Sequence, residues 1–145
     1  MRLIKELIEI KDREDRESFF NDNFDNWDNN SLLEIADKLL IANAADLFVN
    51  VINHPNCTIE SLEYFGCLGK FPSGAMKSVL MNKNCSEDII LQMYKKSSED
   101  KIFNTAKSEM INDYGDDAWE LYSSSVIDSI NSLAEKHPNF PKDLK

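Results

Sequence analysis

Glycine and proline are scarce in this chain, four of each in 145 residues, and they stand where helical patterns break. No flexible Gly/Ser-rich or stiff Pro-rich linker is encoded. Gly66, Gly69, Pro72 and Gly74 fall close together, which makes 66–74 the expected helix–helix loop. Cysteine is sparse as well, and three, an odd number, argue against a disulfide framework. Long apolar runs are missing, so no membrane span is expected. The N-terminus mixes Lys and Glu with its apolar residues, which leaves no uninterrupted signal-peptide core. These absences point to the cytoplasm. Sustained period-two alternation is also missing, so no sheet is expected. Basic residues are outnumbered 16 to 26, for a net charge of −10. Such a chain repels phosphate backbones, which counts against DNA and RNA. It attracts a basic partner and speeds encounter with it, although acidic excess also serves solubility alone.

Chemistry-bearing motifs are missing too. There is no HExxH, P-loop, GxSxG or CxxC pair. His54 and His137 stand far apart with no Cys or Asp at a site-like spacing, and their recurrence in one motif points to a structural task. A calcium loop begun at Asn23 would reach Glu34 at its last position, but Trp27 takes a ligand slot and Asp28 replaces the required Gly. No catalytic residue, metal or cofactor is therefore assigned.

What is present is a repeat. His54-Pro55-Asn56-Cys57 returns as Asn82-Lys83-Asn84-Cys85 and as His137-Pro138-Asn139-Phe140. Cys57 to Cys85 is 28 residues and Cys85 to Phe140 is 55, close to two such steps, so a further copy is expected at Asp113. A fixed period of this size marks a stacked repeat protein. Ten residues before the anchors stand Leu47, Ala75, Phe103 and Ile130, all apolar. Six before them stand Val51, Val79 and Ala134, with Lys107 breaking the column. Leu62 and Phe65, Ile90 and Met93, Ala118 and Leu121 follow the first three anchors at one-face helical spacing. Cys57 and Cys85, in equivalent slots, should lie roughly 8–10 Å apart, too far for a disulfide, and are read as small buried hydrophobes. A degenerate copy is expected from near Asn29, with Leu33 and Ala36 inward.

Helix starts are legible. Ser31-Leu32-Leu33-Glu34 reads as a capping box, and Thr58 and Ser86 stand where an N-cap is needed. A first helix from about Arg2 carries Leu3, Ile4, Leu7 and Ile8 and is read as continuing through the charged run 11–17, a solvated face with oppositely charged pairs. The chain is thus expected to be all-α: a short right-handed α-solenoid of about four helix-pair repeats in a single domain, with 1–28 as an N-terminal cap region and 29–145 as the repeats.

Charge marks candidate contacts. Residues 9–34 hold nine acids and three bases. Three residues after the anchors stand Glu60, Asp88, Asp116 and Asp143, which should line one edge of the stack. First-turn carboxylates also complement the helix dipole, so they have a structural use. Asp117, Trp119, Glu120, Glu63 and Tyr64 stand near this edge. Asp25, Trp27 and Asp28 belong to a second acidic and aromatic stretch, 21–30. Aromatic residues supply many binding hot spots, but Trp119 is better read as core. Phe71 is a further candidate contact.

The units beginning at His54 and Asn82, with Leu62 and Phe65 or Ile90 and Met93 behind the turn, resemble the variant leucine-rich repeat, a relative in style of HEAT repeats. Pro55 and Pro138 keep the turn proline of that family and Pro141 alone keeps its second. The resemblance covers about 29–145 and implies an all-α solenoid that binds protein; it carries no catalytic residues. In size, acidity and lack of catalytic motifs the chain also resembles bacterial immunity proteins of contact-dependent growth inhibition. That resemblance implies an antitoxin that covers the active site of a basic toxin domain, a nuclease, with an acidic surface. A general HEAT-like adaptor, and last a small enzyme using buried carboxylates, are the alternatives.

Overall fold

Side chains that can take a backbone N–H mark where the helices begin. Asp12 accepts from the Asp15 amide at 3.0 Å and opens α2 (Arg13–Asp22). The first helix, α1 (Arg2–Glu9), therefore stops before the charged run instead of continuing through it. Asp28 accepts from the Ser31 amide at 2.8 Å and opens α3 (Asn29–Ile41). The capping box expected at Ser31 is corrected accordingly: Ser31 is a buried residue inside the helix. Thr58, accepting from the Ser61 amide, precedes α5 (Ile59–Cys67), and Ser86, accepting from the Ile89 amide, is the N-cap of α7 (Glu87–Met93). These two are where the sequence places them.

The computed structural model describes residues 2–41 and 47–144, so parts of the expected repeat region, 42–46 and Lys145, lie outside the described residues. Among the described residues the chain is all-helical, with no strand. The remaining helices are α4 (Phe48–Ile52), α6 (Ser73–Met81), α8 (Asn104–Tyr114) and α9 (Ala118–Lys136), with short 3₁₀ turns at Phe24–Asn26, Lys101–Phe103 and Lys142–Leu144. The chain divides into two compact units, Met1–Ser61 and Leu62–Lys145, and the division falls within α5.

In the first unit α1 packs against α2 and α3, and α3 against α4. Its core holds Ile4, Leu7, Phe20, Trp27, Leu32, Ile35, Leu39 and Val51. Leu32 and Ile35 face inward where Leu33 and Ala36 were expected. Ala36 is buried, but Leu33 is only half-buried. The inward frame is thus set by Trp27, with Leu32 and Ile35 behind it as Leu62 and Phe65 stand behind Cys57.

In the second unit α9 is the spine, packed against α6, α7 and α8. Ala75, Phe103 and Ile130 are buried here, as are Val79 and Ala134; their column partners Leu47 and Val51 are buried in the first unit. The expected copy at Asp113 is absent: Asp113 is an exposed residue within α8, and Leu121, expected inward, is exposed. The 55-residue step is filled by α7, α8 and the whole of α9 without a turn of the motif at its midpoint. The loop between α5 and α6 is shorter than 66–74, because Gly66 belongs to α5 and lies 3.1 Å, at its virtual Cβ, from the Met93 sulfur. Gly69 has φ +71°, and a Cβ there would collide with the Lys101 carbonyl oxygen, so only glycine fits.

The recurring tetrapeptide forms one geometry. In each copy the fourth residue donates its amide to the carbonyl of the first, at 3.0 Å for Cys57, Cys85 and Phe140. Pro55 and Pro138 sit second, where a fixed φ suits a turn. The first side chain takes the amide of the third residue: His54 Nδ1 from Asn56 at 3.1 Å, Asn82 Oδ1 from Asn84 at 2.9 Å, His137 Nδ1 from Asn139 at 3.0 Å. That shared task explains how Asn replaces His at position 82. A ring nitrogen that accepts carries no proton, so the proton of each histidine is on Nε2. From there His54 donates to the Phe24 carbonyl at 2.9 Å and His137 to the Asn82 carbonyl at 2.8 Å. The amide side chains of Asn56 and Asn139 donate to Trp27 and Cys85 carbonyls, both at 2.9 Å. Each His-Pro-Asn turn thus clips the first and fourth carbonyls of another turn, 24–27 in the first unit and 82–85 in the second.

Candidate functional site

The turn-forming residues are occupied with one another, so the candidate contacts have to be sought among carboxylates and apolar groups that the fold leaves outside. Trp27 is fully buried, donates Nε1 to the Phe20 carbonyl at 2.9 Å and stacks on Phe20. Trp119 is 2% exposed, donates Nε1 to the Ser98 carbonyl at 2.9 Å and packs on Phe103. Both are core, and neither ring is offered to a partner. Phe71 is corrected in the same way: it is buried against Tyr64 and Phe65.

The acids divide into engaged and free. Asp28 is spent on capping α3, and the Ser31 amide holds its carboxyl below the usual carboxylate range. Asp88 and Glu63 both accept from the Gln92 side-chain amide, at 3.1 and 2.9 Å. Tyr64 is half-buried, holds Lys70 by its hydroxyl and lies under the Lys70 ammonium, 4.8 Å from the ring centre. Asp25, Glu60, Asp116, Asp117 and Glu120 are exposed and make no side-chain hydrogen bond or ion pair among the described residues. Asp143 is exposed in the last 3₁₀ turn.

Three of the free acids converge at one corner of the second unit. Helix α8 ends at Tyr114, Gly115 turns the chain with φ +105°, and α9 begins after Asp117. That φ is disfavoured for residues with a Cβ, so the sharp corner depends on Gly115. Asp116, Asp117 and Glu120 surround the start of α9, and Asp117, although at the N-cap, makes no side-chain capping bond. The dipole of α9 offers them partial positive charge, but no donor is aimed at them. Asp113 adds a fourth carboxylate. Burial, and then the Asp113 charge, push the nearby Glu109 carboxyl up from its ordinary value.

The same corner exposes apolar surface. Tyr114 is 76% exposed, Leu121 68% and Tyr122 54%. These are the exposed aromatic and aliphatic groups beside the buried Trp119. Sequence reasoning missed them because the repeat frame gave Leu121 an inward slot. For Leu121 the signal was present: with Trp119 inward on a helix, the residue two positions on lies on another face, whereas Tyr122, three positions on, carried no such signal. Exposed aromatic groups ringed by polar ones are the usual composition of a protein contact.

Chemistry finds no comparable centre. Burial pushes the thiols of Cys57 to about 11 and of Cys67 and Cys85 to about 12, which keeps them protonated and unreactive at neutral pH. Cys57 is half-buried, not core. Among the described residues no group of three or more His, Cys, Asp or Glu side chains is placed to hold a metal ion. No described helix is long and apolar enough to cross a membrane. Comparison with protein-family models, with curated proteins and with solved structures finds no match for this chain.

Proposed function

We propose that this chain is a protein-binding α-helical repeat module of the cytoplasm, and that it takes a basic partner on the acidic, aromatic corner at the start of α9. The observation that carries the reading is the contrast in helix starts. At α3, α5 and α7 the residue before the helix gives its side chain to the backbone. At α9 the carboxylates of Asp116, Asp117 and Glu120 remain free beside exposed Tyr114, Leu121 and Tyr122. Free carboxylates steer a basic partner in, and the buried part of the aromatic rings supplies affinity. The docked turns, recurring in both units, favour a repeat architecture of the variant leucine-rich or HEAT-like kind, a short α-solenoid, whose members commonly present surface to another macromolecule.

The partner class we favour is a toxin domain with a nuclease active site, which the chain neutralises as an immunity protein or antitoxin by placing carboxylates where substrate phosphates would lie. Net charge −10 and a contact surface of this kind suit that task. Affinity capture on the tagged chain from its native cells, washed at low and then high salt, tests it. One small basic domain retained at high salt by the wild type and lost by D116K/D117K is the expected result. Several partners shed by salt would favour an adaptor, and capture unchanged by D116K/D117K would overturn the assignment of the corner.

A further inference from the structure

The second unit also carries a surface of the opposite kind. Leu80, Met81, Leu133 and Pro138 line a shallow groove of about 370 Å³ at the far end of α9, with Lys83 and Lys136 among its walls. Met81 is 70% exposed. Both lysines are exposed, and neither ammonium is ion-paired among the described residues. In a chain with so large an acidic excess, two unpaired ammonium groups beside apolar surface call for an occupant that is itself apolar and acidic. The corner at Asp116, Asp117, Leu121 and Tyr122 has that composition.

The two surfaces are joined by α9. At 1.5 Å per residue its 19 residues span about 28 Å. Its buried side, Trp119, Ser123, Ile130 and Ala134, is turned inward. Beside it Tyr122, Val126, Ser129 and Leu133 form a partly exposed stripe at helical spacing, from the acidic end to the lysine groove. Ser129 is small enough to let another backbone approach.

We infer that the occupant is a second copy of this chain: two α9 helices lie antiparallel about a two-fold axis near Val126, and the acidic corner of each covers the lysine-rimmed groove of the other. The inference rests on reading the corner as a protein-docking surface. An antiparallel arrangement is the one that sets acidic against basic ends twice over, and it opposes the helix dipoles favourably. A two-fold contact is self-complementary and closes, so association stops at the dimer. Charge −10 on each copy works against it, so the dimer is reversible, with a dissociation constant on the order of micromolar. Self-pairing and capture of a basic partner then compete for one corner.

Analytical ultracentrifugation over a wide concentration range tests this with two charge-reversed chains, K83E/K136E and D116K/D117K. The wild type should dimerise, and each variant alone should dimerise at least roughly tenfold more weakly, because like charges then face each other. An equimolar mixture of the two should recover wild-type dimerisation, since each corner again meets a groove of opposite sign. Val126→Cys, at the axis, should form an intermolecular disulfide in the wild-type background and not beside K83E/K136E. A monomeric wild type, or a dimer that neither variant weakens, overturns the inference; an acidic segment of another protein would then be the groove's occupant. K83E/K136E should still capture a basic partner at least as well as the wild type, and D116K/D117K should not. Loss of self-pairing and loss of the proposed function are thereby read separately.

Discussion

The two units contain the same lock on different partners. In the first, the turn 54–57 grips the turn 24–27, 30 residues earlier, and in the second the turn 137–140 grips 82–85, 55 residues earlier. The donors are identical, His Nε2 and Asn Nδ2, and so are the accepting positions, the first and fourth carbonyls. The receiving turns share only an asparagine at the third position, Asn26 and Asn84. One is Phe-Asp-Asn-Trp, with Phe24 stacked on His54 at 4.1 Å and Trp27 buried beneath. The other is Asn-Lys-Asn-Cys, with Cys85 in the core. Donation to backbone carbonyls makes this possible, since every residue carries one. The motif therefore specifies how a turn is gripped, not which sequence is gripped or how far back it lies.

Truncating the fourth residue of each receiving turn should separate the units most. Trp27→Ala removes a fully buried indole and its bond to the Phe20 carbonyl, a loss of about 3–5 kcal/mol, while Cys85→Ala removes only a buried thiol and costs about 1–2 kcal/mol. Equilibrium urea unfolding read by circular dichroism decides this, and equal losses would show that the two turns bury their anchors alike. The lock itself comes next. His54→Ala and His137→Ala each delete two hydrogen bonds from a buried site, about 2–3 kcal/mol. His54→Ala should cost the more by about 1 kcal/mol, because only that ring contacts Phe24 and Phe20. A larger loss at His137 would mean the aromatic contacts of the first unit are unimportant.

Thr58→Ala and Ser86→Ala should each cost about 1 kcal/mol by removing a cap. D116K/D117K removes no cap and should alter the unfolding midpoint least, which circular dichroism of the same variants would show. The thiols sharpen the comparison at alkaline pH. Cys67 and Cys85, in the second unit, are raised to about 12, and Cys57, in the first, to about 11. A folded pKa above the unfolded value means the stabilisation is complete below about pH 9 and is lost as pH rises toward 12. Native-state alkylation should accordingly reach Cys57 before the other two, and equal rates at all three would contradict the burial.

Much of the fold was readable in advance because it is local. Capping at Thr58 and Ser86 and the buried columns at Leu47, Ala75, Phe103 and Ile130 depend on chemistry a few residues long, and there residue type decides. Frame errors arose where two local signals competed. Ser31 with Glu34 imitates a capping box, but Asp28 stands three residues earlier and a carboxylate is at least as good an acceptor at an N-cap. Spacing alone put a turn at Asp113, yet the stretch before Gly115 contains no residue that stops a helix. Of the candidate contacts, the acids Asp116, Asp117 and Glu120 were identified from sequence, whereas their apolar companions Tyr114, Leu121 and Tyr122 were not, since exposure is a property of what packs nearby.

By itself the sequence determined that the chain is helical, where α1, α5 and α7 begin and which tetrapeptide forms the turn, because φ/ψ preference, capping and amide-to-side-chain bonding act within a few residues. Only the tertiary structure decided which turn each His-Pro-Asn grips, that both tryptophans are core, and that carboxylates and tyrosines at the start of α9 remain free. Those outcomes depend on groups far apart in the chain, and carbonyls that any residue could supply leave no trace of their pairing in the sequence.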